Sequence, residues 1–242
     1  MRTSIHGLGV TIDVDPGELS AGEFKIAWSR CLVVPGPDRP TPTTRVVVGP
    51  RPTMTSLTQA ITYELIIQRR GELLMLHAGA VSHPETGRSI AYVAPGGTGK
   101  TTLTRILGQR FGYLTDETVG LDPVTRWITP YPKPLSLRTR EGGFPKREEG
   151  PDGLGLLPAH PAPVLTSLIL IRRDPAVTGP RWTRLDLFDA MVSLVPETSS
   201  LSRLQRPLHV LRDLYAALDG VWLVDYAEAT DLVDPISERL EA

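Results

Sequence analysis

Apolar residues recur along this chain in two rhythms. Between residues 53 and 70, Leu57, Ile61 and Leu65 stand four apart, Thr53 is placed to cap the start and Gly71 to end it, so the spacing predicts a packing helix. Further on the rhythm changes. Segments 73–81 and 89–94 are nearly continuous apolar runs, separated by the turn-rich His83-Pro84-Glu85-Thr86-Gly87, and read as buried strands. The second runs straight into a glycine-rich loop and a helix over 99–109, which Gly112 ends. Short strands follow at 113–115 and 118–121, then a β-branched strand at 164–171, helices at 185–195 and 204–218, and a last strand at 221–226.

The chain's start has a different texture. Short apolar and β-branched runs at 3–14, 24–34 and 45–48 predict a small β-rich region over residues 1–50, with 51–242 as the main domain. Segment 35–42, with four prolines, is loop chemistry, because proline removes ladder donors. Residues 139–163 carry Gly142-Gly143, Lys146-Arg147-Glu148-Glu149 and several prolines, and predict a long mobile excursion of the kind that serves as a lid or substrate loop.

Composition narrows the function classes. With 242 residues, 40% hydrophobic and 22% charged, the chain can build a real core. A formal charge of −1 supplies no general attraction to nucleic acid or anionic membrane. No apolar stretch has the length of a membrane span, and the N-terminus lacks a signal-peptide pattern. Cys31, the sole cysteine, offers neither an intrachain disulfide nor a zinc cluster, and a cytoplasmic setting fits best. The sequence contains no Asn, which excludes N-glycosylation, the catalytic loop of eukaryotic-type protein kinases and the guanine-reading Asn-Lys-x-Asp motif.

The strongest chemical signal is Ala94-Pro95-Gly96-Gly97-Thr98-Gly99-Lys100-Thr101, a P-loop pattern with Ala first, followed by Thr102. Gly96, Gly97 and Gly99 let successive backbone N–H groups turn toward phosphate oxygens, and Thr98 completes the cradle. Lys100 would reach the β- and γ-phosphates and Thr101 would ligate Mg²⁺, with the helix N-terminus adding positive potential. A plain Gly-rich turn is the competing reading, and the strand before and helix after argue against it.

Asp116-Glu117 follows fifteen residues after Thr101. A carboxylate there can hold Mg²⁺ or accept the proton of an attacking hydroxyl; a solvated turn is the alternative. His77, among apolar neighbours, is either a satisfied core residue or an imidazole that orients a carboxylate or shares protons beside a phosphate. In Tyr131-Pro132-Lys133-Pro134-Leu135-Ser136-Leu137-Arg138, two prolines extend the backbone and offer Lys133, Ser136 and Arg138 to an anionic substrate; an exposed edge strand is the alternative. Arg172 can contact substrate or simply cap its strand.

In order and spacing, Leu76-His77-Ala78-Gly79-Ala80, the P-loop and Leu114-Thr115-Asp116-Glu117-Thr118 resemble the core of the bacterial HPr serine kinase/phosphorylase family and its shorter relatives, some of which act in lasso-peptide and other modified-peptide pathways. The resemblance covers residues 72–138 best. It implies an α/β fold with a P-loop core of the phosphoenolpyruvate carboxykinase-like type, ATP and Mg²⁺ as cofactors, and transfer of phosphoryl to a serine-type hydroxyl on a peptide, protein or small molecule. It further implies Asp116 as base, Lys100 as phosphate clamp, Thr101 as metal ligand and His77 beside the transferring group. Glu117 stands where the family has a second Asp, and shares its metal role. The Pro-Gly-Arg-Asn segment that engages HPr in the full-length family is missing, so the resemblance does not extend to HPr as acceptor. Two other functions fit the same residues: an NTPase or nucleotide-dependent switch with water as acceptor, and a non-catalytic nucleotide- or peptide-binding module. No nucleic-acid or membrane partner is expected, and a homo-oligomer is compatible with the sequence.

Overall fold

The computed structural model describes residues 3–34, 36, 40–47, 49, 51–139 and 143–242. In chain order its main elements begin with β1 (Thr3–Gly7), β2 (Val10–Asp15), α1 (Ala21–Ala27), β3 (Arg45–Val47) and α2 (Met54–Arg69). There follow β4 (Leu74–Ser82), β5 (Arg88–Val93), α3 (Lys100–Leu107), β6 (Gly112–Thr115), β7 (Thr118–Leu121) and β8 (Ile128–Thr129). The rest are β9 (Leu135–Thr139), β10 (Gly143–Glu149), β11 (Val164–Arg173), β12 (Arg181–Leu185), α4 (Leu187–Leu194), β13 (Thr198–Ser199), α5 (Pro207–Ala217), β14 (Val221–Tyr226) and α6 (Val233–Glu241). The chain divides into two compact units, 1–69 with 131–155, and 70–130 with 156–242. It is a mixed α/β protein, and none of its described helices is long and apolar enough to cross a membrane.

In the first unit β1 and β2 form a hairpin whose turn residues Leu8 and Gly9 both have positive φ, and β3 adds in parallel to β2. The expectation of β structure over 24–34 is corrected. Ser20 accepts a hydrogen bond from the Glu23 N–H and starts α1, which buries Phe24, and a 3₁₀ turn over Ser29–Cys31 follows. The alternating Phe24-Lys25-Ile26-Ala27-Trp28 imitates a strand, yet the buried pair is Phe24 and Trp28, four apart and stacked at 6.0 Å, while Ile26 is exposed.

The domain boundary also differs from the expected one at residue 50, because α2 and 131–155 join the first unit. Their polar groups explain this: Tyr131 Oη and Thr62 Oγ1 lie 2.9 Å apart, and Glu148 accepts hydrogen bonds from Thr55 and Ser136. The 139–163 excursion therefore contains a strand, β10, paired antiparallel with β9, while residues 140–142 lie outside the described ones.

The second unit is one sheet between helices, ordered β12-β14-β11-β5-β4-β7-β8, with β6 and β13 also on β4. The central strands β5, β11 and β14 run parallel, whereas β4 is antiparallel to β5. Side chains alternate across the sheet as the pleat demands. Ala78, Ala80, Ala91 and Val93 face α4 and α5, whereas Ile90 and Tyr92 face α3 and α6.

Gly79 carries a specific steric load. A Cβ there would stand 2.3 Å from Tyr92 Cε2 and 2.6 Å from Thr104 Oγ1, and those two side chains bond each other at 2.5 Å, pinning α3 to the sheet. Gly79→Ala should destabilise the protein by about 1–3 kcal/mol through overpacking. A denaturant midpoint equal to the parent's would show that the Tyr92–Thr104 contact yields freely.

Candidate functional site

Strand β5 ends at Val93 and the glycine-rich loop begins at Ala94. Gly97 and Gly99 have φ of 86° and 101°, values that a side chain disfavours, and a Cβ at Gly96 would meet open space. Gly99 then directly precedes α3, so the loop delivers free N–H groups at a helix start. The hydroxyl of Thr98 donates to the Pro95 carbonyl and closes the loop on itself. Thr102 follows Thr101 in the first turn of α3.

Lys100 is nearly buried, its ammonium donating to the carbonyls of Ala94 and, at 3.1 Å, Pro95. Burial pulls its pKa below the ordinary lysine value, and the carboxylates of Glu197, Asp116 and Glu117 work the other way. Thr101 Oγ1 donates to Asp116 Oδ2 at 2.9 Å, and Tyr113 Oη lies 3.4 Å from Asp116 Oδ1. The loop threonine and the first acidic residue, fifteen apart in sequence, are thus in direct contact.

The sheet explains the placement. β6 and β7 lie along one edge of β4, Thr115 opposite Ala80 and Thr118 opposite His77 in one register, and a bulge between Ala80 and Val81 shifts the rest of β6 by one residue. Asp116 and Glu117 fill the break between them, and the Glu117 carbonyl accepts the Ala78 N–H at 3.1 Å. Along the other edge β5 ends at Val93, opposite Ala78, where the loop leaves the sheet. His77 lies between that departure and the acidic pair.

Two residues at this place carried no signal in the sequence. Glu197 ends a 3₁₀ turn after α4, and its Oε2 lies 3.2 Å from His77 Nδ1. Tyr226, at the end of β14, donates its hydroxyl to the Thr98 carbonyl and thereby braces the loop. Burial raises the Tyr226 pKa, so the phenol keeps the proton it donates.

Lys133, Ser136 and Arg138 belong to the first unit. Lys133 is fully buried and donates to the Pro134 carbonyl at 3.0 Å, so its ammonium is not presented to solvent. Ser136 donates to Glu148 at 2.6 Å, and Arg138 is exposed.

Arg172 belongs to the second unit, where it and Arg181 hold the buried Asp225 at 2.5 and 2.7 Å. Hydrogen bonding from Arg172, then from Arg181, depresses the Asp225 pKa. The stability this adds is fully present above the unfolded value, about 3.9, and is lost as pH falls through the lower folded value. Between about pH 6 and about pH 3 the parent should therefore lose more stability than Asp225→Asn, read as urea midpoints. Parallel losses in the two proteins would show that the ion pairs leave no net stabilisation.

The donor set suits a nucleotide triphosphate with Mg²⁺. Backbone N–H groups and one ammonium match phosphate oxygens, while a hydroxyl beside a carboxylate supplies the hard oxygen ligands that Mg²⁺ prefers, most of its shell remaining water. Among the described residues, no group of three His, Cys, Asp or Glu side chains forms a metal cage, and a nucleotide-bound Mg²⁺ needs none. Neither protein-family models nor curated proteins match this chain.

Proposed function

We propose that the second unit is an ATP-dependent phosphotransferase that moves the γ-phosphoryl group to a serine-type hydroxyl of a peptide, protein or small molecule, in a cytoplasmic setting. The observation that carries this reading is the 2.9 Å contact between Thr101 and Asp116, which joins a phosphate loop to a carboxylate at the point where metal and acceptor must meet. The mixed sheet supports the finer reading of a phosphoenolpyruvate carboxykinase-like core, since the strand feeding the loop is antiparallel to its neighbour β4.

In this reading the loop N–H groups and Lys100 hold the β- and γ-phosphates, and Thr101 with Asp116 or Glu117 holds Mg²⁺. The bound metal neutralises phosphate charge. Asp116 accepts the acceptor's hydroxyl proton on a carboxylate oxygen as the new O–P bond forms and the bond to the β-phosphate oxygen breaks. On phosphate contact the Lys100 ammonium would exchange its two carbonyl partners for phosphate oxygens, an alignment already prepared by the loop.

Mass spectrometry of serine peptides incubated with the protein and ATP·Mg²⁺ tests the proposal. Phosphoserine is the expected product. Phosphate release without a phosphopeptide would instead make water the acceptor, and ATP binding without turnover would leave a nucleotide-binding module.

A further inference from the structure

On the foregoing reading of the site, we infer that Glu197 is a positioning residue: its carboxylate fixes the His77 ring as the Nδ1–H tautomer and leaves Nε2 as the ring's free acceptor beside the phosphate loop. The argument begins with the edge of β4. Strand β13 pairs antiparallel with it, Thr198 opposite Leu76 and Ser199 opposite Met75, and the next step in that register sets Glu197 opposite His77. Strand β5 takes the same edge from Ala78 onward. Glu197 thus fills the one step at which the edge strand has given way to the phosphate loop.

Directly opposed residues of an antiparallel pair project on the same face, which brings the carboxylate to the imidazole at 3.2 Å. A carboxylate oxygen accepts, so this contact is a hydrogen bond when the ring carries its proton on Nδ1. The Glu197 side chain is 15% exposed and the His77 side chain 41%, so the contact is sheltered while the rest of the ring stays open. Glu197 also leads the carboxylates whose charge acts on Lys100, which places it within the electrostatic reach of the loop. Free histidine side chains have no such fixed tautomer, and a ring presenting the wrong nitrogen cannot accept a hydrogen bond from a hydroxyl or a phosphate-bound water.

The test compares the parent with Glu197→Ala and Glu197→Gln, using long-range ¹H–¹⁵N correlation to read imidazole tautomers, with the His77 signals assigned by their loss in His77→Gln. The parent should show Nδ1–H for His77, Glu197→Ala should lose that signature, and Glu197→Gln, whose amide oxygen still accepts, should keep it. ATP turnover should fall about tenfold to a hundredfold in Glu197→Ala, in kcat rather than in KM, and Glu197→Gln should recover most of it. In the His77→Gln background the Glu197→Ala loss should largely vanish, because one residue acts through the other. An unchanged His77 tautomer in Glu197→Ala, or additive losses in the double variant, overturns the inference. The two NMR arms need no turnover, so a protein that binds ATP without consuming it would refute the phosphotransferase reading and still decide the tautomer.

Discussion

Lys100→Ala should lower ATP turnover by on the order of a hundredfold to a thousandfold, with weaker ATP binding, while the protein remains folded. The residue is the loop's sole cation, and its ammonium is held inside the loop by the carbonyls of Ala94 and Pro95. Those two bonds hold a desolvated charge inside the loop before any phosphate arrives, and the ammonium exchanges them for phosphate oxygens when it does. On the proposed reading, an alanine there removes the charge that would face the transferring group and leaves only N–H dipoles. The fold should survive because the hydrophobic contacts of α3 run through Leu103 and Leu107, on the side facing β5 and α6. Circular dichroism and a thermal midpoint near the parent's, measured beside steady-state turnover and equilibrium ATP binding, separate loss of function from loss of fold. Turnover within a factor of about three of the parent at subsaturating ATP would remove Lys100 from the site.

What the sequence revealed of this site, and what it hid, follows from the range of the interactions. The loop is local: glycines at 96, 97 and 99, a strand before and a helix after are all written within a few residues, and two of those glycines do adopt positive φ. Asp116 is next in distance. Its contact with Thr101 requires one helix and one strand to return the chain by fifteen residues, and the apolar run ahead of it was enough to suggest that return. Glu197 lies 120 residues from His77, and nothing around Val195-Pro196-Glu197 marks it; a two-residue strand pairing with β4 creates the contact. In the sequence Tyr226 is only the end of a strand, and its hydroxyl reaches Thr98 across 128 residues.

The same reasoning accounts for the misread segments. A single turn of helix with Phe24 and Trp28 inward has the same apolar spacing over five residues as an alternating strand, and the Ser20 cap decides between them. Strand β12 has no apolar signature in the sequence because its residues are mostly polar and exposed, as suits an edge, with Arg181 and Arg184 turned to Asp225 and Asp219. Helix α6 carries Pro235 in its first turn, where the N–H that proline lacks would have had no partner in the helix. The 131–155 segment follows the main domain's strands in sequence, whereas Tyr131 packs against Trp28 and bonds Thr62 in the first unit.

Asp116→Asn should leave ATP binding near the parent's and reduce phosphoryl transfer by about a hundredfold to ten-thousandfold. The substitution keeps the size of the side chain, and a carboxamide oxygen can still accept the Thr101 hydroxyl, so the geometry around the loop changes little. What is lost is the ability to take a proton and half of the charge offered to a metal. These two losses separate by titration. If Asp116 acts chiefly as the base, raising Mg²⁺ leaves the variant slow, and the rate of transfer no longer depends on ionisation of a carboxylate. If it acts chiefly as a metal ligand, raising Mg²⁺ restores most of the rate, and Glu117→Gln should then show a milder version of the same rescue. Phosphate transfer at the parent's rate at every Mg²⁺ concentration would exclude both roles, and would leave the Thr101–Asp116 contact as a brace between α3 and the turn joining β6 to β7.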